Sequence, residues 1–238
     1  EPHDTSLQDW VNYTQNLVCK YYTEKVLVHG DPDILPLISD RTNHSNSKQV
    51  IDDLLPLVEY TGYVCDNSQR KHERKNNYIY VSTGLNKEEG VLLFKEISKI
   101  AKHFTEYTFV MPVANRYLKT EERQKGNLAM VNYVPNLRTK LTNCAAYITY
   151  GGYNATVEIL QSEIPSIIIP RQDGSKMEQF VRAYTFEPYN YFKVVNKQEI
   201  HLLKDVLEQV LINKPEPFKF NLNGVKRSAD AIEKIYTQ

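Results

Sequence analysis

Ala145-Ala146-Tyr147-Ile148-Thr149-Tyr150-Gly151-Gly152-Tyr153-Asn154-Ala155-Thr156-Val157-Glu158 runs an apolar stretch of strand length into two glycines and then straight into a helical pattern. Apolar residues on successive positions predict a strand buried on both faces, as parallel sheets require. The glycines then leave the free N–H groups of the helix's first turn facing the carboxyl end of that strand, with no Cβ to keep an approaching group away. The helix dipole favours negative charge there, so the turn is a candidate phosphate cradle that needs no basic side chain. Asn154 and Glu158 stand four apart and share a helix face. If that face looks toward the cradle, Glu158 can accept both hydroxyls of a ribose. As an isolated feature, Gly-Gly before a helix reads as a tight turn with a solvated glutamate, so the flanking sequence has to decide.

On both sides of this stretch, short strands alternate with helical patterns. Strands are expected at 78–82, 108–111, 129–133, 145–149, 166–169 and 192–195. Helices are expected at 87–103, 136–143, 153–161, 177–185, 197–212 and 224–236. Such alternation predicts an α/β fold, a Rossmann-like parallel sheet with helices on both faces. Ligands of such sheets bind outside the carboxyl ends of the strands, so the loops after Ser82, Met111, Thr149 and Ile169 should form one rim. Upstream, a helical stripe over 7–22 and short apolar runs at 25–32 and 58–64 form a separate amino-terminal segment. The composition turns sharply polar between Cys65 and Asn77. The division expected is therefore 1–64, a polar linker or loop at 65–77, and the Rossmann-like domain at 78–238.

With 238 residues, 41% hydrophobic and 24% charged, the chain has the composition of a globular protein with a substantial core. Lys+Arg and Asp+Glu both total 29, which removes the electrostatic basis for a dedicated nucleic-acid binder. Cys19, Cys65 and Cys144 are far apart, and with no zinc spacing among them a reducing, cytoplasmic setting is expected. No metal ligand set is apparent. His29, His103 and His201 lack an acidic partner at useful spacing, and His29 beside Asp31 alone merits a test. The basic runs at 70–75 and 119–125 read as solvated loops.

Beyond the glycines comes Ile164-Pro165-Ser166-Ile167-Ile168-Ile169-Pro170-Arg171, and then Glu178-Gln179-Phe180-Val181-Arg182-Ala183. This ordered set is Gly-Gly-Tyr-Asn, Glu six residues after the second Gly, Pro-strand-Pro-Arg, and Glu-Gln-x-x-Arg-Ala. It resembles the carboxyl-terminal, donor-binding domain of GT-B glycosyltransferases of family 28, and is similar to an uncharacterised bacterial branch of them. The resemblance takes in Val26 to Pro32, Tyr60 to Val64, Val131 to Leu137 and Phe220 to Gly224, and so covers most of the chain.

It implies transfer of a hexose or N-acetylhexosamine from a UDP-type nucleotide sugar to an unknown acceptor, with no cofactor or metal. Gly151, Gly152, Tyr153 and Asn154 would lie at the diphosphate and Glu158 at the ribose. The Val134 loop would border the base, Gly84 and Arg171 would line the donor rim, and Glu178 and Gln179 would meet the donor sugar. The catalytic base and the acceptor site are expected on an amino-terminal domain, or a partner chain, outside this sequence. Peripheral membrane association would run through that domain. Ala155 stands where the family usually has Thr, and the loop after Ser82 keeps a single glycine. These two departures motivate a second reading, a non-catalytic homologue that binds a nucleotide or a partner. A third is a sugar-nucleotide epimerase of the same architecture.

Overall fold

Strand β7 (Ala146–Thr149) buries all four of its residues, the pattern of an interior parallel strand. In the computed structural model, which describes residues 25–34, 55–65, 71–82, 87–113, 124–171 and 177–237, β7 pairs in parallel with β3 (Tyr78–Val81) and with β8 (Ser166–Ile168). Beyond β3 lie β4 (Thr108–Pro112), β6 (Leu128–Val131) and the short β5 (Gln124–Lys125), and beyond β8 lies β9 (Lys193–Val194). The sheet order is β5-β6-β4-β3-β7-β8-β9, parallel throughout except for β5, which runs antiparallel to β6 at one edge. Residues 124–125 therefore belong to the sheet rather than to the solvated loop expected over 119–125.

The six parallel strands follow the doubly wound nucleotide-binding order, with the reversal between β3 and β7. Right-handed crossovers then put α1 (Lys87–Ile100) on one face and α3 (Tyr153–Ser162) on the other. On the α1 face, Leu93 and Ile97 pack in one apolar cluster with Ile79, Val81, Phe109, Ala146, Ile148 and Ile167. Leu203, Leu207 and Val210 of α5 (Leu203–Ile212) complete that cluster. A 3₁₀ segment, Lys197–Leu202, precedes α5 and replaces the first part of the single helix expected over 197–212. The alternate residues Tyr147, Thr149, Ser166 and Ile168 are also buried and face the other way.

The chain divides into two compact units. One comprises Gln69–Gln172 and Gln179–Phe218 and holds the seven-stranded sheet, with α2 (Leu137–Leu141) and all but the first two residues of α4 (Met177–Phe186). The other comprises Glu1–Ser68, Asp173–Glu178 and Lys219–Gln238. In it β1 (Val26–Val28) pairs in parallel with β2 (Val58–Tyr60). The carboxyl-terminal helix α6 (Gly224–Tyr236), expected within 78–238, groups with this second unit. The reason is local: Gly224 N–H donates to Tyr63 O at 3.0 Å, and a Cβ on Gly224 would stand 2.6 Å from that carbonyl carbon and oxygen. The helical stripe expected over 7–22 lies outside the described residues. In the stretch expected as a linker, residues 71–77 form no helix or strand but are tied into the sheet unit. His72 N–H donates to Ser162 O, Glu73 N–H to Thr142 O and Lys75 N–H to Asn143 O. His29 Nδ1 lies 3.0 Å from Thr61 Oγ1, which gives this histidine a structural partner. Among the described residues no helix is long and apolar enough to cross a membrane.

Asn127, in the β5–β6 turn, donates from Nδ2 to the carbonyls of Ala101, Phe104 and Tyr107 at 2.9, 2.9 and 2.8 Å. Asn127→Ala strips the donor from three carbonyls at once and should destabilise the fold by about 1–3 kcal/mol in urea unfolding, with an unchanged m-value. Asn127→Asp, which turns a carboxylate on the same carbonyls, should cost more. Cys144 is wholly buried, and burial pushes its thiol up to about 12. The unfolded thiol ionises near 9.0, so the stability gained by keeping it neutral is complete below that pH and is lost as pH rises toward about 12. A Cys144→Ala variant should show a shallower alkaline fall in stability over that window.

Candidate functional site

The carboxyl ends of β3, β7 and β8 form a rim at the point where the strand order reverses, and the glycine turn leaves from the middle one. Gly151 has φ +69°, and a Cβ there would lie 2.5 Å from Ile168 Cγ2 on the neighbouring strand. Only glycine fits, on both conformational and steric grounds. Gly152 has ordinary extended angles, φ −57° and ψ 154°, and a Cβ there would meet no atom of the described residues within 4 Å. It is the N-cap of α3, and among the described residues no side chain caps that end. Thr156 N–H makes the first helical bond, to Gly152 O at 2.9 Å, so the amides before it have no intrahelical acceptor. The geometry is that of an anion cradle.

Glu158 stands one turn into α3, half-buried, with Asn154 exposed one turn before it. Its Oε2 accepts from Arg138 Nε of α2 at 2.8 Å. Its Oε1 is buried and has no hydrogen-bond partner among the described residues. The carboxylate thus has one oxygen engaged by Arg138 and one without a donor among the described residues. Burial raises the pKa of the Tyr147 phenol on β7; hydrogen bonds to Thr149 and Ser82 oppose that rise, and the Glu158 charge adds to it.

Other expected residues are distributed around the same rim. Val134 follows β6, and its side chain is buried, whereas Pro135 beside it is exposed and can border a ligand. Arg171 follows β8, with its guanidinium carbon 5.0 Å from the Tyr150 ring centroid. Gln179 lies in the first turns of α4, and its Oε1 is buried without a hydrogen-bond partner among the described residues. Glu178 precedes it in that helix; its side chain, like the whole of Gly84, lies outside the described residues.

Tyr153, expected at the diphosphate, has its ring centroid 5.4 Å from the guanidinium carbon of Arg182. Arg182 and Arg138 were given no role by the sequence reading. The Arg-Ala at the end of the 178–183 pattern was the available signal for the first. For the second there was none, because Arg138 and Glu158 are twenty residues apart and meet only through the sheet. Among the described residues, no three His, Cys, Asp or Glu side chains are grouped to hold a metal ion. A cavity of ≈ 230 Å³ between Pro165, Ser166, Lys193 and Lys214 opens at the amino end of β8, the opposite end of the strands from the rim.

The two glycines should respond oppositely to substitution. Gly151→Ala should destabilise the protein by about 1–3 kcal/mol through strain and the Ile168 clash. Gly152→Ser should leave stability unchanged or raise it by a few tenths of a kcal/mol, since serine caps a helix slightly better than glycine. Thermal unfolding of the two variants side by side checks both.

The chain matches the Glycosyltransferase family 28 C-terminal domain over residues 91–235. It is 28% identical over 168 residues to the uncharacterized UDP-glucosyltransferase YojK of Bacillus subtilis (strain 168), covering 66% of this chain and 40% of that protein. Over 106 residues it is 29% identical to the UDP-N-acetylglucosamine--N-acetylmuramyl-(pentapeptide) pyrophosphoryl-undecaprenol N-acetylglucosamine transferase of Thermosipho melanesiensis, covering 44% of this chain and 30% of that one. The chain therefore spans less than half the length of these relatives.

Among solved structures, the glycotransferase of kitacinnamycin superposes with a TM-score of 0.57 at 14% identity, over 88% of this chain and 50% of that one. The calicheamicin glycosyltransferase CalG4 superposes at 0.53 and 13%, over 99% of this chain and 57% of that one. At such identity these structures speak for the GT-B fold alone. The sheet order, the glycine turn at its reversal point and a family match over more than half of the sequence agree, and the chain belongs to glycosyltransferase family 28 through its carboxyl-terminal domain.

Proposed function

We propose that this chain is the donor-binding part of a glycosyltransferase that moves a hexose or N-acetylhexosamine from a UDP-type donor to an acceptor held by another domain. The observation that carries this reading is Glu158: a carboxylate with one oxygen fixed by Arg138 and the other buried and, among the described residues, without a hydrogen-bond partner, one helical turn beyond the start of α3. A buried carboxylate oxygen without a donor is costly unless something supplies one, and a ribose hydroxyl would do so. The amides around Gly152 then receive the diphosphate, the Val134-Pro135 loop borders the base, and Gln179, with Glu178, meets the sugar.

In transfer, the acceptor hydroxyl attacks the anomeric carbon while the bond from that carbon to the β-phosphate oxygen breaks. The charge that grows on the leaving diphosphate falls on the amino end of α3, where fixed N–H dipoles stabilise it without reorganising. The proton of the attacking hydroxyl must go to a base on the acceptor-bearing domain, so the chain supplies donor binding and leaving-group stabilisation, and the other domain supplies attack. No cofactor is required by this division.

Calorimetry with UDP tests the site. The Glu158→Ala variant should bind UDP more weakly by about 1.5–3 kcal/mol, roughly tenfold or more, the value of hydrogen bonds to a charged acceptor. An unchanged affinity would remove Glu158 from the site. Gly152→Val, which fills the open space beside the amides, should weaken UDP at least as much while the protein stays folded.

A further inference from the structure

The carbonyl oxygen of Gly151 is held from two directions. Thr156 Oγ1, one turn into α3, donates to it at 3.2 Å, and Arg182 Nη1, from α4, donates to it at 3.4 Å. Both side chains are buried, with exposures of 1% and 3%. Arg182 is fixed further by the Tyr153 ring, which its guanidinium carbon approaches to 5.4 Å from the centroid.

A trans peptide is planar, and its C=O and N–H point in opposite directions; no described peptide bond is cis. Two donors on Gly151 O therefore turn the N–H of Gly152 the other way, on the residue whose Cβ position no described atom approaches within 4 Å. A peptide between two glycines meets little steric resistance to flipping. In the flipped state its carbonyl oxygen, the negative end of the dipole, would face an incoming anion.

We propose that Arg182 and Thr156 are positioning residues that lock the Gly151-Gly152 peptide with its N–H outward, and that this lock is what makes the site prefer a phosphorylated nucleoside to a bare one. The inference rests on the diphosphate reading above. It explains why a cation is buried at this turn: the guanidinium anchors the carbonyl and places a positive charge behind the peptide that meets the phosphate. It also gives Thr156 a function different from that of the Thr expected at position 155. The hydroxyl acts through the Gly151 carbonyl rather than on the ligand.

The test compares the binding of UDP and of uridine by calorimetry in the 238-residue chain and in its Thr156→Val, Thr156→Ser and Arg182→Met variants. Thr156→Val and Arg182→Met should each lose about tenfold in UDP affinity, while uridine stays within about twofold. Thr156→Ser should keep the unmodified chain's ratio. A merely structural role would loosen α3 as a whole and, because Glu158 sits on the same helix, would weaken both ligands together; that result overturns the proposal. So does a UDP-to-uridine ratio that survives both substitutions. If Arg182→Met does not fold, Thr156→Val, which keeps the side-chain shape, decides alone. If the unmodified chain itself binds UDP no better than uridine, the diphosphate reading fails and the lock with it. A normal preference that the variants retain defeats only the lock.

Discussion

The contact between Gly151 and Ile168 sets the geometry of the rim. Two adjacent parallel strands are held so close at their carboxyl ends that position 151 has no room for a methyl group, and the backbone there must take a positive φ. That conformation turns the chain from β7 into α3 within three residues, and so points the helix's amino end at the place where the strand order reverses. A wider turn would move the open amides away from the reversal point and carry Glu158 with them.

Much of this was legible in the sequence because the signals were local and repeated. The continuous apolar run of β7, the glycines after it and the strand-helix alternation predicted an interior parallel strand feeding a helix, and the sheet has that form. Signals that depend on tertiary distance were not legible. Gln124 and Lys125 carry no β-pattern, and they are a strand because Leu128 and Ala129 offer them an edge. Gly224 looked like an entry into the last helix of the Rossmann-like part, whereas its role in grouping α6 with the other unit comes from a backbone contact to Tyr63. The same limit hid Arg138, since an ion pair across twenty residues has no spacing rule.

Gly151 and Gly152, identical in sequence, answer to different demands. The first is required by packing. The second satisfies no packing demand, and a serine there would cap α3 better than glycine does. Leaving the helix start uncapped forgoes a small stabilisation and keeps donors available to a ligand, the usual direction of conflict between stability and function at a binding site. Position 155 fits the same logic. Alanine in the first turn adds no competing acceptor, and the threonine beside it donates inward, to Gly151 O.

The Arg138–Glu158 pair is best understood by what it does to the carboxylate. Arg138 is 43% exposed at its side chain, so solvent screens the pair and its direct contribution to stability is small. Its geometric effect is larger. By taking Oε2, the guanidinium fixes the rotation of the carboxylate and leaves Oε1 as the oxygen that faces inward. Arg138 belongs to α2, which begins directly after the Val134-Pro135 loop, so the group proposed to receive the ribose is oriented by the element that follows the loop proposed to border the base. A nucleoside entering the rim would meet two surfaces already aligned with each other, and preorganisation of that kind lowers the ordering cost of binding.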